Sequence, residues 1–543
     1  MFKEVARSGR QWKENPQYTN KEDAEMYRNS VLSLILIGCL FFVFTAGELT
    51  ATGGPEVEEE KVLTIAVHAD IHSLDPAAYS HRMTEGVIKS MYDGLTGWGS
   101  DMSIQPEIAL EWRFVDDLTA EYKLRDDVTF HNGEPLTAED VKFSFDRIIN
   151  NDLCGASSPR KGLTGTITSV TVEDDYTVRF HLSKPWPILF KMLSHQQIIP
   201  KDYFEGLDSD PGKRCEKFEA APVGAGSFKF VEYVPGTRLV LERYDGYYGE
   251  FPGNADKVVI LVMPDEASRV AALRAGEVDF VPEVSLDIAL GLEGNPDVVV
   301  TTSTGSRGRM VEMNVTKPPF DNLKARQAMN YAVDIQEIID TLYGGKGVVF
   351  AGPLFDYEQN VDPKLVPYGY DPDKAKKLLA EAGYPDGFSL VVDAVPPHED
   401  WATAVAGYLR EAGIDATLRM WEYKVIKPEL LARNRSMFVR DWGSSALDPE
   451  GYLNRKLESD SNGNFSGYSN EYFDQLLARG RSELDPEKRK EIYWEAQNII
   501  YSEAPWIFGY SIDAAALHRP GLEGCRRHPI DYINAQYIAV HQR

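Results

Sequence analysis

The sequence predicts an α/β protein whose mixed sheets are distributed over more than one lobe. Its 543 residues exceed the size at which a single hydrophobic core stops growing, so two or three lobes are expected. Strand-like and helix-like patterns alternate along most of the chain, which is typical of α/β architecture. Residues 104–130 and 165–183 instead carry strand and turn signals almost throughout, and they predict one small lobe that is rich in β-structure.

The composition is that of an ordinary globular protein, with 43% hydrophobic and 11% aromatic residues. The formal net charge is −27, because 84 acidic residues outnumber 57 basic ones. Such an excess of negative charge argues against nucleic acid or an anionic membrane surface as the main partner. Solubility explains the charge best, and a functional meaning, such as the attraction of cationic solutes, is the alternative.

The N-terminal region carries an export signal. Residues 31–46, VLSLILIGCLFFVFTA, form an apolar run that is too short to span a membrane comfortably and has the length of a signal-peptide core. We expect cleavage before Glu48 and hypothesise that translation starts at Met26, which would leave a charged region of normal length before the run. Two alternatives remain open, a lipoprotein anchored through Cys39 and an uncleaved membrane anchor.

The first folded elements follow a charged linker. Residues 62–67, VLTIAV, are predicted to form the first core strand, and Leu74-Asp75-Pro76 forms a turn. Residues 87–95, VIKSMYDGL, have the pattern of an amphipathic helix that ends at Gly94.

The stretch 124–148, LRDDVTFHNGEPLTAEDVKFSFDRI, joins two kinds of local structure. Val128 and Phe130 alternate with polar neighbours as in a half-buried strand, and Asn132-Gly133 predicts a turn. Thr137 is a candidate N-cap with Asp140 at the capping-box position, so a helix is expected to follow.

Further helices are marked by their end signals. Residues 268–276 are expected to form a helix that leads into a strand. Asp371-Pro372 and Asp485-Pro486 each place a capping aspartate before a proline that fits the first helical turn. Strand and helix units of this kind support mixed sheets on more than one lobe.

The order of these segments closely resembles the family 5 extracellular solute-binding proteins, which serve dipeptide, oligopeptide and nickel ABC transporters. The stretch 124–148 resembles the family signature, the Leu74-Asp75-Pro76 turn resembles the family opening, and residues 221–229, APVGAGSFK, resemble a further family turn. With other ordered landmarks, the resemblance covers roughly residues 60–520. It implies a periplasmic-binding-protein-like α/β fold, in which two clamping lobes with mixed sheets carry an extra β-rich lobe.

The family layout also implies domain boundaries. These are an N-terminal extension and signal peptide at 1–47, a linker at 48–61, lobe I at 62–105, lobe II at 106–220, lobe I again at 221–308, lobe III at 309–510 and the last part of lobe I at 511–543.

The sequence gives little support to catalysis. It contains no Gly-x-Ser-x-Gly, His-Glu-x-x-His, Walker or Cys-x-x-Cys motif, so we expect neither an enzyme nor a bound cofactor. His68, His72 and His81 could converge, but their spacing has no ligand register, and scattered surface histidines explain them better. No metal site is therefore predicted, although a nickel or metal-complex receptor stays open as an alternative.

Two segments match the ligand-lining positions of the family. The loop after Pro76 contains Tyr79 and Arg82, and the guanidinium of Arg82 would favour an anionic group if it faces the cleft. The second segment, 439–449, contains Trp442, Ser444 and Ser445.

Ser445 marks a departure from the peptide-binding relatives, which place an aspartate three residues after this tryptophan to pair with the peptide ammonium. A buried ammonium without a carboxylate partner is costly, so the hydroxyl removes the main reason to expect a free peptide N-terminus there. Trp421 is a further aromatic candidate for the cleft, with core packing as its alternative.

After signal cleavage three cysteines remain. A disulfide between Cys154 and Cys215 is one expectation in an oxidising compartment, since both lie in loop-like polar stretches, and Cys525 would then be left over. The alternative is three unpaired thiols.

The expected function is that of an exported, periplasmic and monomeric receptor. It would capture a peptide or peptide-like small solute between two lobes and deliver it to an ABC permease. An oligosaccharide receptor of the same fold, a receptor that reports to a sensor, and a secreted hydrolase are the alternatives.

Overall fold

Two mixed sheets and one antiparallel sheet organise the structure, a computed structural model that describes residues 60–150, 153–354, 361–444 and 446–541. The expected signal peptide, the Met26 start, Cys39 and Ser445 lie outside the described residues. Among the residues that the structure describes, no helix combines the length and apolar character that crossing a membrane requires.

The strands, in chain order, are β1 Val62–Val67, β2 Thr96–Trp98, β3 Ile104–Pro106, β4 Ala109–Asp116, β5 Thr119–Leu124, β6 Ile167–Asp174, β7 Thr177–Leu182, β8 Phe228–Val234, β9 Arg238–Arg243, β10 Lys257–Val262, β11 Phe280–Val284, β12 Val299–Ser303, β13 Gly308–Met313, β14 Gly347–Val349, β15 Ser389–Ala394, β16 Asp415–Met420, β17 Met437–Trp442, β18 Trp506–Ile512, β19 Ala514–His518, β20 Leu522–Glu523 and β21 Ala539–Val540.

The α-helices are α1 Arg82–Ile88, α2 Ala138–Ile149, α3 Leu189–Leu193, α4 Lys201–Gly206, α5 Pro211–Ala220, α6 Glu266–Ala275, α7 Leu286–Leu292, α8 Leu323–Ala332, α9 Ile335–Tyr343, α10 Pro372–Glu381, α11 Glu399–Glu411, α12 Tyr423–Leu431, α13 Arg455–Leu457, α14 Glu471–Gly480 and α15 Pro486–Glu503.

The first mixed sheet has the strand order β12-β19-β11-β1-β10-β9-β8. Its central strand β1 pairs in parallel with β10 and β11, and its remaining pairs are antiparallel. We call the lobe that is built on this sheet lobe I. Residues of β1, α1 and the segment after β20 share one apolar core on its face, including Ile65, Met83, Val87 and Ile533.

The second mixed sheet has the order β14-β18-β13-β17-β15-β16 and forms lobe III. Strand β15 is parallel to both β16 and β17, whereas β13 is antiparallel to β17 and β18. Helices α8, α9 and α11 contribute Met329, Ile339 and Val405 to the core on this sheet. A four-stranded antiparallel sheet, β4-β5-β7-β6, forms the small lobe II under α2. The predicted α/β class with mixed sheets and an extra β-rich lobe is confirmed, while the finer domain boundaries stay a prediction.

Several local predictions are confirmed because they depend on signals within one turn of chain. Strand β1 spans the six residues that were expected. Helix α2 begins after Thr137, whose backbone N–H donates to the Asp140 carboxylate at 2.9 Å. The carboxylates of Asp371 and Asp485 likewise accept backbone N–H groups of the helices that they precede.

Two local predictions are wrong. The helix expected at residues 87–95 ends at Ile88, because the next backbone groups pair with a distant turn: Ser90 and Met91 accept hydrogen bonds from the N–H groups of Phe228 and Gly226. The strand expected around Val128 and Phe130 is reduced to a single bridge between Thr129 and Pro135. There the chain folds back on itself, and the Phe130 N–H donates to the Glu134 carbonyl at 2.8 Å.

A disulfide joins Cys154 to Cys215, whose Cα atoms are 6.3 Å apart. Cys525 is a buried free thiol, and burial raises its pKa to about 12. The structure thus contains the pairing that the sequence analysis weighed against three unpaired thiols.

Candidate functional site

The two clamping lobes are joined where the chain crosses between their sheets. One crossing leads from β12 to β13, and the other leads from β18 to β19 through Asp513. The crossings lie side by side, since β12 pairs with β19 and β13 pairs with β18. Gly305 lies in the first crossing, where an added Cβ would be 2.1 Å from the carbonyl oxygen of Ile512 in the second. A pair of adjacent strand crossings is a natural hinge.

The lobe III wall next to this hinge carries a charged triplet. Arg307 follows Gly305 and donates from Nε and Nη2 to the two carboxylate oxygens of Asp441, at 2.6 and 3.0 Å. His398 Nε2 lies 3.2 Å from the same carboxylate. Burial alone would raise the pKa of Asp441, but the contacts from His398 and Arg307 lower it well below its ordinary value. Asp441 therefore carries its charge and is satisfied by its own lobe.

The facing wall of lobe I is also rich in titratable groups. A small cavity there is lined by His68, Glu283, Arg527 and Asp531, among others. His68 Nδ1 lies 3.0 Å from Glu283, and Arg527 forms an ion pair with Asp531. The negative charge of Asp531 also helps to raise the pKa of Arg307 on lobe III, after the larger effect of Asp441. The charge of Asp531 on lobe I therefore reaches a side chain of lobe III.

The histidines that the sequence singled out come together on lobe I. The rings of His72 and His81 have centroids 4.8 Å apart, and both lie near His68. Burial, together with the charges of His72 and His68, lowers the pKa of His81. Among the described residues, no group of three or more histidine, cysteine or carboxylate side chains is arranged to hold a metal ion.

The predicted tryptophans both lie on lobe III and are half-buried. The indole N–H of Trp442 donates to the carbonyl of Gly451 at 3.1 Å, and that of Trp421 donates to Asp393 at 2.7 Å. Trp442 adjoins Asp441 at the end of β17, whereas Trp421 follows β16 at the edge of the same sheet. Only Trp442 is next to the charged triplet in the chain, and its side chain packs against Lys456 and Gly451, on the other face of β17 from Asp441.

A buried cationic cluster lies against Trp442. The ammonium of Lys456 is 3.6 Å from the centroid of the indole, and Lys456 is only 3% exposed. Arg440 Nη1 donates to Glu312 at 3.3 Å within the same cluster. Burial first, and the nearby charge of Arg440 next, lower the pKa of Lys456 to about 7.

The remaining predicted site residues occupy different settings. Ser444 is buried, and its hydroxyl is 3.5 Å from the N–H of Asp448 in the following turn. Tyr79 is buried in lobe I, where its hydroxyl donates to Gln197 at 3.1 Å and the Arg160 guanidinium lies 4.4 Å from its ring centroid. Arg82 opens α1 and is partly exposed. Within the part of the chain that the structure describes, its side chain forms no hydrogen bond or ion pair.

A further contact between the lobes lies where the chain follows β17. Leu447 of lobe III is 1% exposed and packs into a cluster of lobe I residues, Trp98, Met102, Ile530 and Tyr532. Lys191 of lobe II donates to the Leu447 carbonyl at 3.2 Å. Lobe III is therefore in contact with both lobe I and lobe II at Leu447.

Sequence reasoning missed Arg307, His398, Asp531 and the insertion of Leu447. Each is an isolated residue without a motif, and Arg307 and Asp441 are 134 positions apart in the chain. The available signals were weak: Gly305 just before a strand indicates a close backbone approach, and Asp441 adjoins a predicted site tryptophan.

Comparison with known proteins agrees with this architecture. The family model for bacterial extracellular solute-binding proteins, family 5 Middle, matches residues 103–464. The chain belongs to this family. It is accordingly a solute-binding protein of the kind that works with ABC permeases in transmembrane transport.

Individual relatives cover most of the chain. The glutathione-binding protein GsiB of Salmonella paratyphi A is 29% identical over 466 residues, which are 82% of this chain and 88% of that protein. Heme-binding protein A of Haemophilus influenzae is 31% identical over 459 residues, 79% of this chain and 83% of that protein. The structure of the periplasmic binding protein DppA of Helicobacter pylori, in complex with the peptide STSA, is similar with a TM-score of 0.69 and 27% identity, covering 89% of this chain and 98% of DppA.

Proposed function

We propose that this protein is a periplasmic receptor that encloses a peptide-like solute between lobes I and III and passes it, unaltered, to an ABC permease. The observation that carries the proposal is the polar cleft itself. Charged side chains line both lobes near a two-crossing hinge, and Leu447 of lobe III packs against residues of lobe I. Such a cleft gives a bound solute more contacts in the closed state than in the open one, and this difference drives closure.

The peptide-like class of solute is supported by two kinds of observation. GsiB is named for glutathione, and the DppA structure holds a peptide. Charged hydrogen-bonding groups at Arg307 and Asp441 and the indole of Trp442 all lie at or next to the end of β17, and together they suit a short peptide with both polar and apolar parts.

For the individual residues we propose the following roles. Trp442 stacks on an apolar part of the solute, Arg82 meets an anionic group from lobe I, and Ser444 and Ser445 line the turn beside Trp442. Tyr79 and Trp421 support the site without binding the solute directly, because their polar atoms are already hydrogen-bonded to Gln197 and Asp393.

Native mass spectrometry of freshly purified protein tests the proposal directly, since a closed cleft retains its cargo. We expect a bound small molecule of peptide-like mass that is released on denaturation. Added back, it should bind one to one, raise the melting temperature and be recovered intact. Conversion of the solute into products would contradict the receptor role and favour a hydrolase.

A further inference from the structure

The carboxylates on the two walls of the cleft are already neutralised within their own lobes. On lobe III, Asp441 receives both a bidentate Arg307 and His398. On lobe I, Asp531 is paired with Arg527, and Glu283 with His68. A solute ammonium that entered the cleft would have to compete with these cations for the carboxylates.

Cationic groups, in contrast, remain available. The Arg307 side chain is 60% exposed although it is paired, so its guanidinium can accept a second anion on its open side. Arg82 on lobe I has no hydrogen-bond or ion-pair partner among the residues that the structure describes. The rings of the neighbouring His72 and His81 are tilted by 34° to each other, and their nitrogens add further polar groups to that wall.

The positions of these cations place them on opposite lobes. Arg307 directly follows the hinge on lobe III. The charge of Asp531 on lobe I contributes to its raised pKa. Arg82 directly follows His81 on lobe I. The charge of the same Asp531 acts to raise the pKa of His81, against larger effects that lower it. The two available guanidinium groups therefore belong to opposite lobes.

We propose that the cleft selects acidic solutes, peptide-like molecules that carry at least one free carboxylate and need no free ammonium, with Arg307 of lobe III and Arg82 of lobe I as the specificity-determining residues. The inference rests on the proposed receptor function and adds the charge of its cargo. A carboxylate shared between the lobes offsets the repulsion between their cations, so it stabilises the closed state more than the open one.

A matched panel of synthetic peptides tests the proposal by calorimetry. The panel consists of Ala-Glu-Ala and Ala-Gln-Ala, each with a free or acetylated N-terminus and a free or amidated C-terminus. We expect affinity to fall at least about tenfold with each carboxylate removed, the scale of one lost charge-assisted contact, and to change little on acetylation. Affinity for the acidic members should also fall with added salt.

Variants separate a specific role from a general effect of charge. Arg307→Gln and Arg82→Gln should each weaken binding of acetyl-Ala-Glu-Ala about tenfold and leave the amidated Gln peptide unaffected. Asp441→Asn frees Arg307 from its partner and should strengthen binding of the acidic peptide, an effect that mere damage to the fold would not produce. Arg113→Gln is the control, because this arginine is 71% exposed on the outer strand of lobe II.

Two failures can be told apart. If the neutral and acidic peptides bind equally well, or a free N-terminus is required, the acidic selectivity is wrong and the receptor function stands. If no peptide binds and the purified protein holds no peptide-like molecule, the proposed function fails and the selectivity fails with it.

Discussion

At the scale of single residues, the unusual group is the buried lysine beneath Trp442. Lys456 has no carboxylate within ion-pair distance in the described structure; its ammonium lies over the indole face, and the charge of Glu312 also favours its protonated form. Burial and Arg440 lower its pKa from the ordinary 10.5 to about 7. The protonation state of this side chain therefore changes near neutral pH, in direct contact with a proposed ligand-binding tryptophan.

We predict that Trp442 reports this titration. Raising the pH through about 7 should change its fluorescence as the ammonium loses its proton, and Lys456→Met should abolish the transition. Because the folded pKa is lower than the unfolded one, the unfolded chain binds the extra proton between about pH 7 and 10.5, so this group makes the free energy of unfolding rise with pH over that window. Urea unfolding at several pH values measures the effect.

Lys490→Met serves as the control for this prediction. Its ammonium lies 5.0 Å from the Trp494 ring centroid, but its side chain is 30% exposed. A fluorescence transition that persists in Lys456→Met, or that disappears in Lys490→Met, would contradict the assignment.

At the scale of elements, two connections set how the lobes are held. The hinge depends on a glycine, since any side chain at Gly305 meets the second crossing. The disulfide between Cys154 and Cys215 closes a segment with a sequence separation of 61 residues, and it lies where α2 ends and α5 passes. The hinge allows the two clamping lobes to move relative to each other. The disulfide restricts the conformations of the unfolded chain.

Gly305→Ala should lower the free energy of unfolding by about 1–3 kcal/mol and weaken solute binding, because the added methyl group pushes the two crossings apart. Gly291→Ala is the matched control: it lies in α7 with nothing within 4 Å of the added Cβ, so it should be neutral or stabilise by up to about 1 kcal/mol. Urea unfolding and calorimetry on both variants check the prediction, which fails if they behave alike.

Replacing both bridged cysteines, Cys154→Ser with Cys215→Ser, should lower the free energy of unfolding by about 2–4 kcal/mol, because the unfolded chain regains the freedom of the closed segment. Thermal melts with and without reductant measure it. Reductant should destabilise the natural protein but not the double variant. Equal melting temperatures under all these conditions would show that the bridge contributes nothing.

At the scale of the whole molecule, closure depends on contacts that exist only when the lobes meet. Leu447 is the clearest of them, since it is buried among residues of the opposite lobe. We expect opening of the clamp to expose its side chain, so that its burial stabilises the closed state more than the open one. The two lobes are thus held by an apolar contact in addition to any bound solute.

Leu447→Ala should favour the open form. Removing a buried leucine costs about 2–5 kcal/mol, and here the cost falls on the closed state, so solute binding should weaken at least about tenfold. Small-angle scattering should show a larger radius of gyration, and solute should restore compactness only at higher concentration. Leu431→Ala, at a 46% exposed position of lobe III, should leave both measurements unchanged.

The fold could be predicted from the sequence wherever local signals decide it. The apolar run in β1 and the capping aspartates Asp371 and Asp485 act within a few residues of chain, and their elements form as expected. The prediction failed at residues 87–95, where an equally good helical pattern is overruled by hydrogen bonds from the turn at Gly226. Competition of that kind depends on a partner more than a hundred residues away.

The sequence by itself determined the family, the α/β class with its extra β-rich lobe, and the type of transport system in which the receptor works. Only the tertiary structure decided which charges share the cleft, that Asp441 is satisfied by Arg307 and His398, and that Leu447 reaches into the facing lobe. The reason is physical. Periodicity and helix capping depend on neighbouring residues. The pairing of charges depends on sheet register and on how the lobes pack together, which bring together side chains that no local pattern connects.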